Sequence, residues 1–161
     1  MGPTIPDRCP FCPLPKNAPT DPDSYCCQAW NFGQFPENPD MDFSVGMFGQ
    51  HESSGFRFQQ VTDGLSNTIM NGETLPGHCI FNSAWAPNFS IYPTTIPVNH
   101  LETDNGQSGQ WFRTCGFKSL HPGGANFVMG DGSVHFFSET IDYRVYNGLG
   151  TKAGNEVVAL P

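Results

Sequence analysis

The residues best suited to chemistry gather in the last third of the chain. His121 is followed by nine residues and then Asp131-Gly132-Ser133, with His135 close behind. Upstream, Glu73 closes the segment Thr68-Ile69-Met70-Asn71-Gly72-Glu73, and Asp63 sits in the turn before it. Imidazole with carboxylate suits zinc, manganese or iron, whereas carboxylates with backbone carbonyls suit calcium. One reading is therefore a divalent metal site built from His121, Glu73, Asp131 and His135. With an open coordination position the bound water would become a nucleophile near neutral pH, giving a small metal-dependent hydrolase of esters or phosphoesters. Asp63 or Asp131 would then act as base. The alternative is turn chemistry. In that reading His121 bonds a backbone group in a tight turn, Asp131 is a hairpin residue, Glu73 and Asn126 bridge loops, and His135 is a half-buried strand residue.

Six cysteines, Cys9, Cys12, Cys26, Cys27, Cys79 and Cys115, form an even set in a charge-poor, turn-rich chain. That favours structural disulfides in an oxidising compartment, with the pairing left open. Cys9-Pro-Phe-Cys12 with Cys26-Cys27 would otherwise hold structural zinc, although the vicinal pair fits common zinc spacings poorly. Cys79 or Cys115 with a histidine would make a weak nucleophile pair, and Asp63 with Glu73 a weak glycosidase-like pair. Trp85 and Trp111 lie in loop-like sequence and would stack on a glycan or small-molecule ligand if exposed, or build the core if not. Nucleophile-elbow, zinc-protease, phosphate-loop and dinucleotide fingerprints are absent.

The elements that must position these residues are short. Residues 1–24 read as a Pro-rich extended arm and 25–161 as one globular domain. Phe56 to Val61 alternates with period two, which predicts a half-buried strand. Residues 62–67 supply turn and cap chemistry, and 68–73 a second strand. Residues 76–110 form a long excursion without a clear period. Asn126–Met129 and Val134–Phe137 flank Gly130-Asp131-Gly132-Ser133, a hairpin signal. Residues 140–149 predict a short helix with Ile141, Val145 and Leu149 on one stripe, stopped by Gly148 or Gly150. Residues 156–160 would add an edge strand.

Composition agrees. Gly (18) and Pro (15) make up about a fifth of the 161 residues, while charged residues are only 14% and aromatic residues 13%. A disordered chain would show the opposite balance. The expected fold class is α+β, mostly antiparallel β with long loops and a short helix. A net charge of −8 argues against nucleic acid and against anionic membranes. No apolar run is long enough to span a membrane, and no export segment is visible.

Three blocks together carry a resemblance: Val61-Thr-Asp-Gly-Leu-Ser-Asn-Thr-Ile-Met-Asn-Gly-Glu73, the His121 to Val134 segment, and Gly150-Thr-Lys-Ala-Gly-Asn-Glu-Val-Val158. The chain resembles the bacterial prepilin-processing-associated family named for its His-x9-Asp-Gly motif, abundant in planctomycetes and also described as solute-binding-like and of unknown function. The resemblance implies a pilin-like C-terminal sheet on a protein exported and anchored by an N-terminal leader and hydrophobic helix. This chain would then be the distal globular part, periplasmic or at the cell surface. Its role would be surface assembly, secretion or ligand capture, with pilus- or secretion-type proteins as partners. An apolar surface where that helix packs would favour self-association.

Overall fold

The computed structural model describes residues 46–48, 57–78, 92, 94, 96–101, 115–153 and 160–161. Three antiparallel strands form one sheet in the order β1 (Ile69–Gly72), β2 (Gly124–Met129), β3 (Val134–Ser138). One short helix, α1 (Tyr143–Gly148), follows, and single 3-10 turns occupy Phe58–Gln60, Leu65–Asn67 and Pro76–His78. The described part is thus α+β. The Pro-rich arm at 1–24 and the edge strand expected at 156–160 fall in segments outside the described residues, apart from Leu160.

The hairpin forms as its sequence demands, with one refinement. The Met129 amide donates to the Ser133 carbonyl (2.9 Å) and the Gly132 amide to the Met129 carbonyl (2.9 Å). Gly132 alone in this turn takes a positive φ, 86°. This is a tight turn followed by a left-handed glycine, the three-residue hairpin geometry. Asp131 therefore needs no left-handed backbone and is present for its side chain. The strand expected at 56–61 is corrected: Phe58–Gln60 is a 3-10 turn. Residues 57–60 are all exposed and only Val61 is buried, so the alternation in sequence has no buried face to serve. The Arg57 amide donates to Gln60 Oε1 (2.6 Å) and the Gln60 amide to the Arg57 carbonyl (2.8 Å), closing the turn locally.

β1 pairs with β2 through Ile69↔Met129, Asn71↔Val128 and Gly72↔Phe127, with a bulge between Ile69 and Asn71. Gly72 is required by space: a Cβ there would stand 2.7 Å from the Phe117 ring and 2.8 Å from the Phe127 ring. Those rings are the centre of the core. Phe127 is fully buried, with ring centroids 5.1 Å from Phe117, 5.1 Å from Phe137 and 6.0 Å from Tyr146. Each such buried side chain contributes about 1.5–3 kcal/mol, and the tilted and edge-on rings add to it. α1 starts at Asp142, whose Oδ1 accepts from the Arg144 (2.9 Å) and Val145 (3.1 Å) amides. It lays Tyr146 and Leu149 into the core, with Ile141 and Val145 packed at the margin. Its end is tied to β1 by the Ile69 amide donating to the Leu149 carbonyl (2.7 Å).

Candidate functional site

Strand β2 is bracketed by the signature residues. His121 stands in the turn that enters it and Asp131-Gly132 in the turn that leaves it, so the nine-residue spacing is one six-residue strand plus its two turns. A residue added to that spacing would flip alternate side chains between core and solvent.

At the entry end, Glu73 finishes β1 in an unusual way. Its amide donates to the Asn126 carbonyl (3.2 Å), but its own carbonyl turns away to accept from the Lys118 amide (2.9 Å). Its carboxylate takes over the vacated role in the ladder: Oε2 accepts from the Asn126 amide (2.8 Å) and Oε1 from Asn126 Nδ2 (3.3 Å). His121 Nε2 lies 3.3 Å from Oε1 on the exposed rim. The Asn126 amide lowers the Glu73 pKa most; partial burial opposes this, and Ser119, the Asn126 side chain and His121 lower it further.

At the exit end, Asp131 Oδ1 accepts from the Ser133 amide (2.9 Å) and the Ser133 hydroxyl (2.7 Å). Both hold its carboxyl below the usual range, the hydroxyl most. Ser133 Oγ also meets His135 Nε2 at 3.1 Å. The hydroxyl has one proton, and the shorter contact to a carboxylate claims it. The Oγ then accepts from His135, so the imidazole is not placed as a base toward Ser133, and the Asp131 carboxylate that takes the hydroxyl proton is held in the turn by the Ser133 amide. The His135 ring stacks on Phe137 at 6.2 Å and is half-buried. The loop itself docks on the 65–67 turn, with the Gly130 amide donating to the Thr68 carbonyl (2.8 Å) and the Asp131 amide to the Leu65 carbonyl (3.2 Å).

The four residues of the expected metal set thus form two pairs, Glu73 with His121 and Asp131 with His135 through Ser133. His121 and Asp131 stand at opposite ends of β2, while Glu73 bonds Asn126 and His135 faces Phe127 from the other side of the strand. Among the described residues, no group of three or more His, Cys, Asp or Glu side chains is placed to hold a metal ion. Asp63 lies elsewhere, at the junction with the segment after α1. Its Oδ2 accepts from the Thr151 hydroxyl (3.2 Å) and its amide donates to the Lys152 carbonyl (3.3 Å). Cys115 is buried and disulfide-bonded, so it offers no thiolate. Trp85, Trp111, Cys9, Cys12, Cys26, Cys27 and Cys79 lie outside the described residues. Two participants escaped the sequence reading, Ser119 and Ser133. The Asp-x-Ser pattern at 131–133 was the available signal for the second, because an aspartate oxygen caps the amide two residues on.

The family described as "Protein of unknown function (DUF1559)", whose model is titled SBP_bac_10, matches residues 15–144, and the chain belongs to it. No curated protein and no solved structure matches the chain.

Proposed function

We propose that this member of the family is a non-catalytic, extracytoplasmic, pilin-like module that serves surface assembly, secretion or ligand capture. One observation carries the reading: Glu73, Asn126, Asp131 and Ser133 spend their hydrogen bonds on joining β1 to β2 and β2 to β3. A catalytic set would converge on a cleft with an unengaged base or nucleophile. The placement outside the cytoplasm rests on the family resemblance, and among the described residues no helix is long and apolar enough to cross a membrane.

A second reading, a metal-dependent hydrolase at the His121 end, draws on the Glu73–His121 approach of 3.3 Å. Elemental analysis of wild type and His121→Ala, with nitrophenyl ester and phosphoester assays on the same samples, separates the two. The module reading expects no zinc, manganese or calcium that depends on His121, and no hydrolysis above the buffer rate. Near-stoichiometric metal lost in a folded His121→Ala variant, with turnover abolished by a chelator, would replace it with the hydrolase.

A further inference from the structure

Three asparagines in the chain precede a glycine: Asn71, Asn147 and Asn105, the last lying outside the described residues. A primary carboxamide followed by glycine has an internal nucleophile at hand, the next backbone nitrogen, with no side chain to hinder it. The fold treats the two described pairs differently. Asn71 is exposed, on a strand at one side of the sheet. The Glu73 amide faces β2, so the Gly72 amide points away from it. That amide donates to Oδ1 of Asn71 (2.8 Å). The nitrogen is thus held beside Cγ, the carbon bonded to that oxygen. A bulge between Ile69 and Asn71 loosens the strand pairing at this residue. Asn147, by contrast, is 3% exposed, and its Nδ2 donates to the Tyr143 carbonyl (2.7 Å). Gly148 lies in α1, where its amide serves the helix ladder.

We propose that Asn71 is a site of intramolecular deamidation in the folded chain, while the fold protects Asn147. Water or hydroxide takes the Gly72 amide proton, and the nitrogen attacks Asn71 Cγ. The new N–Cγ bond closes a five-membered succinimide. The Cγ–Nδ2 bond breaks, and ammonia leaves with the electron pair and a proton. Water, the only co-reactant, then opens the imide at either carbonyl. Opening at Cγ restores the main chain and leaves aspartate at position 71. Opening at the main-chain carbonyl routes the backbone through Cβ as iso-aspartate. Each product adds one negative charge to a chain already at −8. The iso-aspartate also lengthens β1 by one backbone atom directly before Gly72, whose seat against the Phe117 and Phe127 rings leaves no room for displacement. The β1–β2 pairing then weakens next to the place where Glu73 ties the strands.

Peptide mass mapping of the full folded chain during incubation in mildly alkaline buffer tests this. The Asn71 peptide is expected to gain the mass of amide-to-acid conversion, as aspartate and iso-aspartate together, roughly tenfold or more faster than the Asn147 peptide. Raising the pH should speed the reaction, because the attacking nitrogen must first lose its proton. In the urea-unfolded chain the two peptides should convert at similar rates, which assigns the difference to the fold. Asn71→Gln should stop the conversion with near-ultraviolet circular dichroism unchanged, since the longer side chain closes a six-membered imide far less readily. A folded wild type whose Asn71 peptide stays intact while the unfolded chain converts overturns the proposal. So do equal rates at the two sites in the folded chain, and so does a bias that persists after unfolding. Acid that still accumulates in the same peptide of folded Asn71→Gln overturns it too, because another amide such as Asn67 is then the source.

Discussion

Glu73 and His121 touch, but their contributions differ in kind. Asn126 would lose the acceptor of a part-buried amide if Glu73 were truncated, and an unsatisfied group of that type costs about 1–3 kcal/mol. His121 is 58% exposed and makes a rim contact, which is worth about 1 kcal/mol or less. Urea denaturation should therefore find Glu73→Ala clearly less stable than wild type and His121→Ala close to it; the reverse order would make the imidazole the organiser of this end. The same carboxylate sets an acid limit. Its pKa is lowered on folding, as is that of Asp131, so the unfolded chain binds protons first as pH falls. Stability from both groups is present above the unfolded carboxylate range of about 4 and is lost as pH drops through the lower folded values. Glu73→Gln should flatten the acid limb of a stability–pH curve, and an unchanged limb would show that the shift lies elsewhere.

At the scale of elements, β1 and β2 are held at a distance that only a hydrogen at position 72 permits. An added methyl meets two aromatic rings, of which Phe127 is fully buried, so both must move. Overpacking of this sort costs about 1–3 kcal/mol. Gly72→Ala should lower the denaturation midpoint accordingly, and should do so more than Gly77→Ala, where a Cβ has open space. Equal effects would mean that backbone entropy, and not the ring contact, governs position 72. α1 has six residues, too few to persist on its own. Asp142 caps it and the burial of Tyr146 and Leu149 holds it.

For the molecule as a whole, the core is aromatic, and among the described residues the Tyr146 hydroxyl is one of three buried side-chain polar atoms without a partner. Tyr146 is 1% exposed, and its hydroxyl has no hydrogen bond. Burial pushes its phenol well above the ordinary value of 10.0. The unfolded chain releases that proton near 10 while the fold retains it. Stability from this group is therefore whole below about pH 10 and is lost as pH rises beyond it. Tyr146→Phe removes an unsatisfied hydroxyl at nearly constant shape. It should leave stability at neutral pH equal or higher by about 1 kcal/mol, and should shift alkaline unfolding upward. A clear loss at neutral pH would reveal a partner for the hydroxyl.

Patterns local in the chain were legible without coordinates. Asp131-Gly132 between apolar runs determined the hairpin, because only a left-handed glycine closes that loop. The stripe Ile141, Val145 and Leu149 determined the helix, and 68–73 the strand that became β1. Where the periodicity was local but the burial was not, the reading failed: Phe56 to Val61 alternates, yet of the described residues 57–61 only Val61 is buried. The candidate site divides in the same way. Residue types picked out His121, Glu73, Asp131 and His135, but whether they converge depends on where strands end. Tertiary structure alone decided that β2 separates them into two pairs and that the Glu73 carboxylate completes a ladder its backbone abandons. Those outcomes depend on pairing between segments some fifty residues apart, and chain spacing carries no information about a distance set by folding.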